Sequence, residues 1–187
     1  MKRAISCLGV CLAMALACAG MAQEKVNQGS LVLQDFAQRV TAYMKLHRAG
    51  AAHIPGLKPT KTAGDIERHE RALAHEIREA REHIGQGDIF TPEIAAQFRQ
   101  LIGDTMKGPS AGRIRESLQQ AEPVWLKGLR VNMTYPHAVP LQSSPPTLLM
   151  NLPQLPAQLE YRFVGHSLIL RDLEANLIVD FLRDAIQ

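Results

Sequence analysis

Three residues of the sequence have the spacing of metal ligands on a helix. His75, Glu79 and His83 recur every fourth residue, so they would lie on one helical face, and imidazole and carboxylate groups both bind zinc. The phase of that helix turns His75 and Glu79 away from its apolar side and toward solvent. The stretch "HEIRE" also lacks the second histidine of the HExxH metalloprotease motif. We therefore predict no metal site, no cofactor and no catalytic set on this helix.

A second group of candidate residues lies near the end of the chain. The stretch "LEYRFVGHSLILRDLEANLIVDFL", residues 159–182, has the composition of β-strands but carries arginines, acids and a histidine. A two-residue loop of Gly165 and His166 suits a type II′ hairpin. Counting outward from this loop places Glu160 opposite Arg171, a favourable cross-strand pair. These charges are therefore predicted to hold two strands in register.

A further turn at 173–176 would add a third strand and place Ile169 opposite Asp180. Arg162 and Asp180 would then flank Ile169 on one face, where a functional site is the less favoured alternative to a structural pair. Asp172 would be the one polar residue on the other face. The remaining residues of that face are apolar: Leu159, Tyr161, Phe163, Leu168, Leu170, Leu177, Val179 and Phe181.

Helical periodicity before these strands predicts the elements that must position them. A first helix would begin at Ser30 as N-cap and bury one stripe: Leu33, Phe36, Val40, Tyr43 and His47. A second helix over 65–84 would end near Gly85 and Gly87. It has a narrow seam of the coiled-coil kind: Ile66, Leu73, Ile77, Ala80 and Ile84. This seam could pair with a partner outside the fold.

A third helix is indicated by Thr91 as N-cap and Pro92 at the first helical position. Its apolar face would comprise four residues: Ile94, Phe98, Leu101 and Ile102. A weaker helix is predicted in "AGRIRESLQQAE", residues 111–122, and a short helical turn at Pro145 and Pro146 within a proline-rich stretch.

The first 22 residues have the layout of a secretory signal peptide. "MKRAISCLGVCLAMALACAGMA" combines a basic start, an apolar centre and small residues at its end, which predicts cleavage after Ala22. Retention as a membrane anchor and lipidation at Cys18 are the alternatives. Cys7, Cys11 and Cys18 all lie in this leader, so the chain after cleavage has no thiol for a disulfide, a metal site or a nucleophile.

Length and charge limit the remaining possibilities. The chain has 187 residues, of which 46% are hydrophobic, as expected for one globular domain. Removing Lys2 and Arg3 from its 21 basic residues leaves 19, against 18 acidic residues. A nearly neutral chain has no long-range field to attract nucleic acid, so we predict no nucleic-acid partner. We also predict no membrane-spanning segment after the leader.

Three stretches carry a resemblance to known proteins. "FAQRVTAYMKLHR", "QGDIFTPEIAAQFRQLI" and "LEYRFVGHSLILRDLEANLIVDFL" together resemble an uncharacterised family of predicted exported bacterial proteins, a domain of unknown function, over most of the chain after the leader. This resemblance implies export and no particular activity. The last stretch, with the proline-rich run before it, is also similar to the C-terminal segment of small periplasmic nickel/cobalt-homeostasis proteins, although the histidine-rich tract of those proteins is missing here.

The sequence predicts an α+β fold in which N-terminal antiparallel helices pack with a C-terminal three-stranded antiparallel β-meander. The predicted segments are a signal peptide over 1–22, a helical region over 23–122 with a basic loop at 49–64, a proline-rich connection over 123–158 and the meander over 159–187, with 23–187 forming one domain. The basic loop could touch an anionic surface, and a solvated linker is the favoured alternative.

The favoured function is a non-enzymatic interaction module of the bacterial envelope or periplasm that binds a protein or another envelope component. One alternative is a small periplasmic hydrolase or metal-dependent enzyme, supported by the histidines and carboxylates of the second helix. A pocket that joined them to Arg162 or Asp180 would favour this enzyme. A periplasmic metal-homeostasis protein is the other alternative.

Overall fold

In the computed structural model, the described residues are 6–57, 62–121, 124, 126–142 and 144–186, with side chains of the first helix described from residue 28 onward. The elements, in chain order, are α1 (Ser6–Ala52), α2 (Ala63–Ala80), α3 (Pro92–Thr105), α4 (Ala111–Gln120), α5 (Pro146–Leu149), β1 (Leu159–Val164), β2 (Ser167–Asp172) and β3 (Leu177–Leu182). The strands form an antiparallel sheet in the order β1-β2-β3. The predicted α+β fold with a C-terminal meander is confirmed.

The first helix has the predicted buried stripe but not the predicted start. Phe36, Val40, Tyr43 and His47 are buried, and Leu33 packs at the edge of the core. Ser30 lies inside α1 and is not its N-cap. No proline precedes it, and Gly29 weakens a helix by only about 1 kcal/mol, which is too little to end it here. The helix also extends to Ala52, so the loop predicted at 49–64 is shorter than expected.

The second helix packs against α1 through only part of its predicted seam. Leu73 and Ile77 are buried, whereas Ile66 is 42% exposed and Ile84, beyond the helix end at Ala80, is 37% exposed. The buried position of the last turn is taken by Arg81, which is 1% exposed. The middle of the seam is therefore covered within the molecule, whereas Ile66 and Ile84 at its two ends remain exposed.

The pairing of the first two helices is antiparallel. Arg81 lies over the ring of Tyr43, while Gly50, further along α1, lies against Leu73, nearer the start of α2. A Cβ at position 50 would lie 3.0 Å from Glu76 Cβ, so glycine permits this close approach of the helices.

The third helix begins as predicted and completes an aromatic core. The Thr91 hydroxyl accepts a hydrogen bond from the amide of Ile94, and Pro92 occupies the first turn. Phe98 is fully buried, with its ring 4.9 Å from that of Phe36 on α1. Because one cluster of buried residues contains side chains of α1, α2, α3 and all three strands, the helices and the sheet share a core.

The first hairpin of the meander has the predicted register. All its pairs agree, from Val164 with Ser167 at the loop to Glu160 with Arg171. Gly165 has a φ of 55°, in the left-handed region that glycine adopts without strain. The turn chemistry of this hairpin was therefore sufficient to predict its pairing.

The second hairpin departs from the predicted register halfway along. Arg171 faces Ile178 as counted from the turn, but Ile169 faces Phe181 and not Asp180, because an irregularity at Leu170 and Arg171 shifts the pairing by one residue. Such a β-bulge reverses which face the following residues occupy. The prediction that Asp180 lies beside Ile169, with Phe181 on the principal apolar face, is consequently wrong.

Both faces of the sheet are covered. On the outer face, Val164, Ile169, Ile178 and Phe181 form a second buried cluster with Tyr135 of the covering segment 126–139. This segment also runs along the edge of β3, where Asn132 N donates to Ile178 O at 2.8 Å. In the described ranges, no helix has the length and apolarity that crossing a membrane requires.

Candidate functional site

The histidines of the second helix do not form a metal site in the structure. His75 Nε2 lies 3.4 Å from Glu79 Oε1, and both side chains are 67% exposed, as the helix phase predicted. Because α2 ends at Ala80, His83 does not continue the helical face. In the part of the chain that the structure describes, no three histidine, cysteine or acidic residues lie close enough together to hold a metal ion.

Arg162 and Asp180, the other predicted pair, are separated. Arg162 pairs with Glu160 at 2.8 Å on the outer side of the sheet. The carboxylate of Asp180 is fully buried and accepts hydrogen bonds from the amides of Ile89 and Phe90, each at 2.8 Å. Within the described residues, neither Arg162 nor Asp180 lines any of the three cavities described below.

A buried polar network contains residues that could carry acid–base chemistry. Asp172 Oδ2 accepts a hydrogen bond from the Tyr43 hydroxyl at 2.6 Å and lies 2.7 Å from His47 Nδ1. The other ring nitrogen, His47 Nε2, lies 3.1 Å from Glu174 Oε2. The hydrogen bond to Asp172 raises the pKa of His47 above its ordinary value of 6.5, although burial opposes this rise. Burial raises the pKa of Tyr43 well above its ordinary value.

The geometry of this network indicates a structural role. An ionised carboxylate can only accept hydrogen bonds, so contacts with two carboxylates require both nitrogens of His47 to donate. His47 is 3% exposed, and neither nitrogen is available to exchange a proton with a substrate. The network therefore joins α1 to the β2–β3 turn, where Asp172 Oδ1 accepts the amides of Glu174 and Ala175 at 2.9 Å.

Sequence reasoning did not identify this network. His47 was placed on an apolar stripe and Asp172 on an apolar face, but their contact joins residues 125 positions apart. A signal was available, since each is the ionisable residue on an otherwise apolar surface. A buried charge is stable only when it is paired, so these two positions could have indicated that the two surfaces meet there.

One cavity of about 520 Å³ lies between residues 54–57 and the start of α2. Arg68 in its wall pairs with Asp65, and Arg71 lies 3.5 Å from Glu67. These arginines are already neutralised by acids, so the cavity offers little charge to a ligand.

A different concave surface lies where α3, α4, the β1–β2 loop and the C-terminal segment meet. It consists of adjoining cavities of about 390 and 370 Å³ that share Met106, Arg115 and Ile186. We call it the basic groove. Its apolar side chains include Leu118 and Ile102, and such a mixture of apolar walls with a few polar groups is typical of binding sites.

The charges of the basic groove are not balanced. Arg99, Lys107 and Arg115 line it with one acid, Asp184. Among the described residues, none of these three cations forms an ion pair with a carboxylate. Arg99 donates instead to the carbonyl of Arg183, which orients its guanidinium and leaves its charge uncompensated.

A comparison with known proteins finds no matching family model, no similar curated protein and no similar solved structure.

Proposed function

We propose that this chain is an exported, non-enzymatic interaction module of the bacterial cell envelope, and that it binds a protein partner through the basic groove. The observation that carries the proposal is the set of unpaired cations, Arg99, Lys107 and Arg115, beside apolar side chains in a concave surface. Arginine and apolar groups together are characteristic of residues that contribute most to protein interfaces.

The buried groups support a binding role over catalysis. His47 is enclosed by carboxylates, and Asp180 is enclosed by backbone amides. These ionisable residues hold elements of the fold together. The groups that face solvent in the groove are fixed positive charges, which suit recognition of an anionic partner more than proton transfer.

Site-specific photo-crosslinking in the producing cell tests the binding proposal. A photo-crosslinking amino acid in place of exposed Gln119, which lines the groove, should give an adduct of defined mass. The same group in place of Lys45, exposed on α1, serves as the position control. Arg115→Glu should remove the adduct at position 119, whereas Arg48→Glu, a charge reversal at an exposed residue of α1, should leave it. An adduct that survives Arg115→Glu would contradict the proposal.

Export is supported by the leader pattern of residues 1–22. The intact mass of protein recovered from the periplasm tests it, and the expected product begins at Gln23. A mass that still includes residues 1–22 would show retention, and a lipid adduct on Cys18 would show anchoring in place of free export.

A further inference from the structure

The end of the basic groove nearest the β1–β2 loop contains a buried polar side chain whose orientation is determined by its contacts. Gln142 is 6% exposed, and its Oε1 accepts hydrogen bonds from Val124 N at 3.2 Å and Gly165 N at 3.0 Å. Because only the amide oxygen can accept two backbone N–H groups, the side-chain nitrogen is assigned to the opposite position.

The side-chain nitrogen of Gln142 can donate a hydrogen bond to a ligand. Within the described residues, Nε2 donates to no acceptor, and no buried side-chain nitrogen or oxygen lacks a partner. Nε2 is therefore accessible, and Gln142 lines the 390 Å³ cavity of the groove. A neutral N–H donor at this position suits a carbonyl oxygen, which is the acceptor that a peptide backbone supplies.

Arg115 lies between the two cavities and connects this donor to the other cations. Its Nη2 donates to the carbonyl of Met106 at 3.1 Å, and Met106 and Ile186 line both cavities together with Arg115. The remaining N–H groups of a guanidinium fit the two oxygens of a carboxylate. Arg99 and Lys107 extend the positive charge along the second cavity.

We propose, on the basis of the proposed function, that the basic groove binds an extended acidic peptide segment of a partner protein. A backbone carbonyl of the segment accepts from Gln142 Nε2. An apolar side chain lies against Met106, Leu118 and Ile186, and neighbouring carboxylates pair with Arg115 and with the cations of the second cavity. Charge complementarity favours this occupant, because the lining has three cations and one acid.

Fluorescence anisotropy of a labelled peptide with the full-length chain tests the assignment. The probe is a capped hexapeptide with one leucine among glutamates, and its control has glutamine in place of each glutamate. We expect saturable binding of the acidic probe that is about tenfold tighter than that of the control. Equal binding of the two peptides would overturn the proposal.

Gln142→Glu is the matched variant. Glutamate keeps the oxygen that accepts the amides of Val124 and Gly165, so the hairpin contact is preserved, but it replaces the N–H donor with an anion. We expect at least a tenfold loss of affinity for the acidic probe, with an unchanged circular dichroism spectrum. Arg115→Ala should weaken binding by about the same factor, and Arg48→Ala should not change it. Unchanged affinity in Gln142→Glu would overturn the carbonyl assignment.

Two competitors separate the peptide from other anions. Inorganic phosphate, or vesicles that contain an anionic lipid, should displace the probe only weakly at physiological ionic strength. Stronger binding of the vesicles would assign the groove to a membrane surface, and full displacement by millimolar phosphate would reduce it to a simple anion site, so either result would overturn the proposal. If crosslinking at position 119 identifies a partner but the acidic probe does not bind, the peptide inference fails while the interaction function stands.

Discussion

His47 Nδ1 lies 2.7 Å from Asp172 Oδ2 in the interior of the molecule, with the two side chains 4% and 0% exposed. The contact joins the C-terminal part of α1 to the end of β2, and the Tyr43 hydroxyl donates to the same carboxylate oxygen. Burying either charge without its partner would cost roughly 3–5 kcal/mol of folding free energy, whereas the paired groups compensate each other's charge and hydrogen bonds. The protonation of His47 therefore contributes to holding α1 against the sheet, beside the apolar packing of that helix.

The stability contributed by His47 should depend on pH. Because the folded pKa of His47 is raised above 6.5, its protonated ring contributes fully below that pH, and the contribution is lost as pH rises through the folded pKa. His47→Gln should therefore lower the free energy of unfolding by about 3 kcal/mol in mildly acidic buffer and by less in alkaline buffer. Urea unfolding at several pH values measures this difference.

The control for this experiment is His75→Gln, since His75 is 67% exposed. Its free energy of unfolding should stay within about 0.5 kcal/mol of the parent protein. A destabilisation by His47→Gln that is constant across the pH range would show that the ring acts through packing and not through its charge.

Asp180 is predicted to hold the loop between α2 and α3. Its Oδ2 accepts the amides of Ile89 and Phe90, and its Oδ1 accepts that of Gly87 at 3.1 Å. Asp180→Asn would place an amide NH2 group, itself a donor, against some of these backbone donors, so we expect a loss of about 2–3 kcal/mol in the free energy of unfolding. Denaturant midpoints and amide hydrogen exchange at positions 89 and 90 are the measurements. Asp104→Asn, at an exposed residue of α3, should change stability by about 0.5 kcal/mol or less.

The features that were predictable from the sequence are the local ones. Thr91 caps α3 through the amide three residues later, and Gly165 closes a hairpin whose whole register follows from its two-residue loop. In these cases the interacting groups are adjacent in the chain, so their chemistry depends little on the remainder of the fold.

The features that were missed depend on distant parts of the chain. We predicted Asp180 on the outer face by counting residue pairs from the turn as if β2 and β3 paired regularly. A β-bulge opposite Leu170 and Arg171 shifts the pairing by one residue, so Asp180 lies on the inner face. Arg81 is buried because its guanidinium reaches Val179 O at 2.8 Å, across 98 residues. The basic groove likewise forms only where α3, α4 and the C-terminal segment meet, and no short sequence motif predicts such a surface.

Alanine substitutions at two glycines should have opposite effects on stability. Gly165 has a φ of 55°, where a Cβ costs about 1–2 kcal/mol. Gly103 lies within α3, and a Cβ there would meet no atom within 4 Å. Gly103→Ala should therefore raise the free energy of unfolding by roughly 0.5–1 kcal/mol, because alanine is the better helix former, while Gly165→Ala should lower it. Denaturant midpoints test both signs, and a stabilising Gly165→Ala would show that the loop has another conformation.

The Glu160–Arg171 pair predicted from the sequence is present at 2.9 Å, but its two members are not equivalent. Arg171 also donates to Asn176 Oδ1 at 2.7 Å and lies 5.0 Å from the ring centre of Tyr135. Arg171→Glu loses all three contacts and places two acids opposite each other, so we expect a loss of about 2–3 kcal/mol. Glu160→Arg should cost less, roughly 1 kcal/mol, although it places a third arginine beside Arg162 and Arg171.

The reversed pair, Glu160→Arg with Arg171→Glu, should recover only the cross-strand term. This term is worth roughly 0.2–1 kcal/mol, because an arginine at position 160 restores neither the hydrogen bonds to Asn176 nor the stacking on Tyr135. A double-mutant cycle read from denaturant midpoints gives the coupling energy directly. Complete recovery would show that the ion pair alone stabilises this end of the sheet, and no recovery would contradict the facing of residues 160 and 171. Partial recovery, with the larger single loss at Arg171, is the result that the geometry predicts.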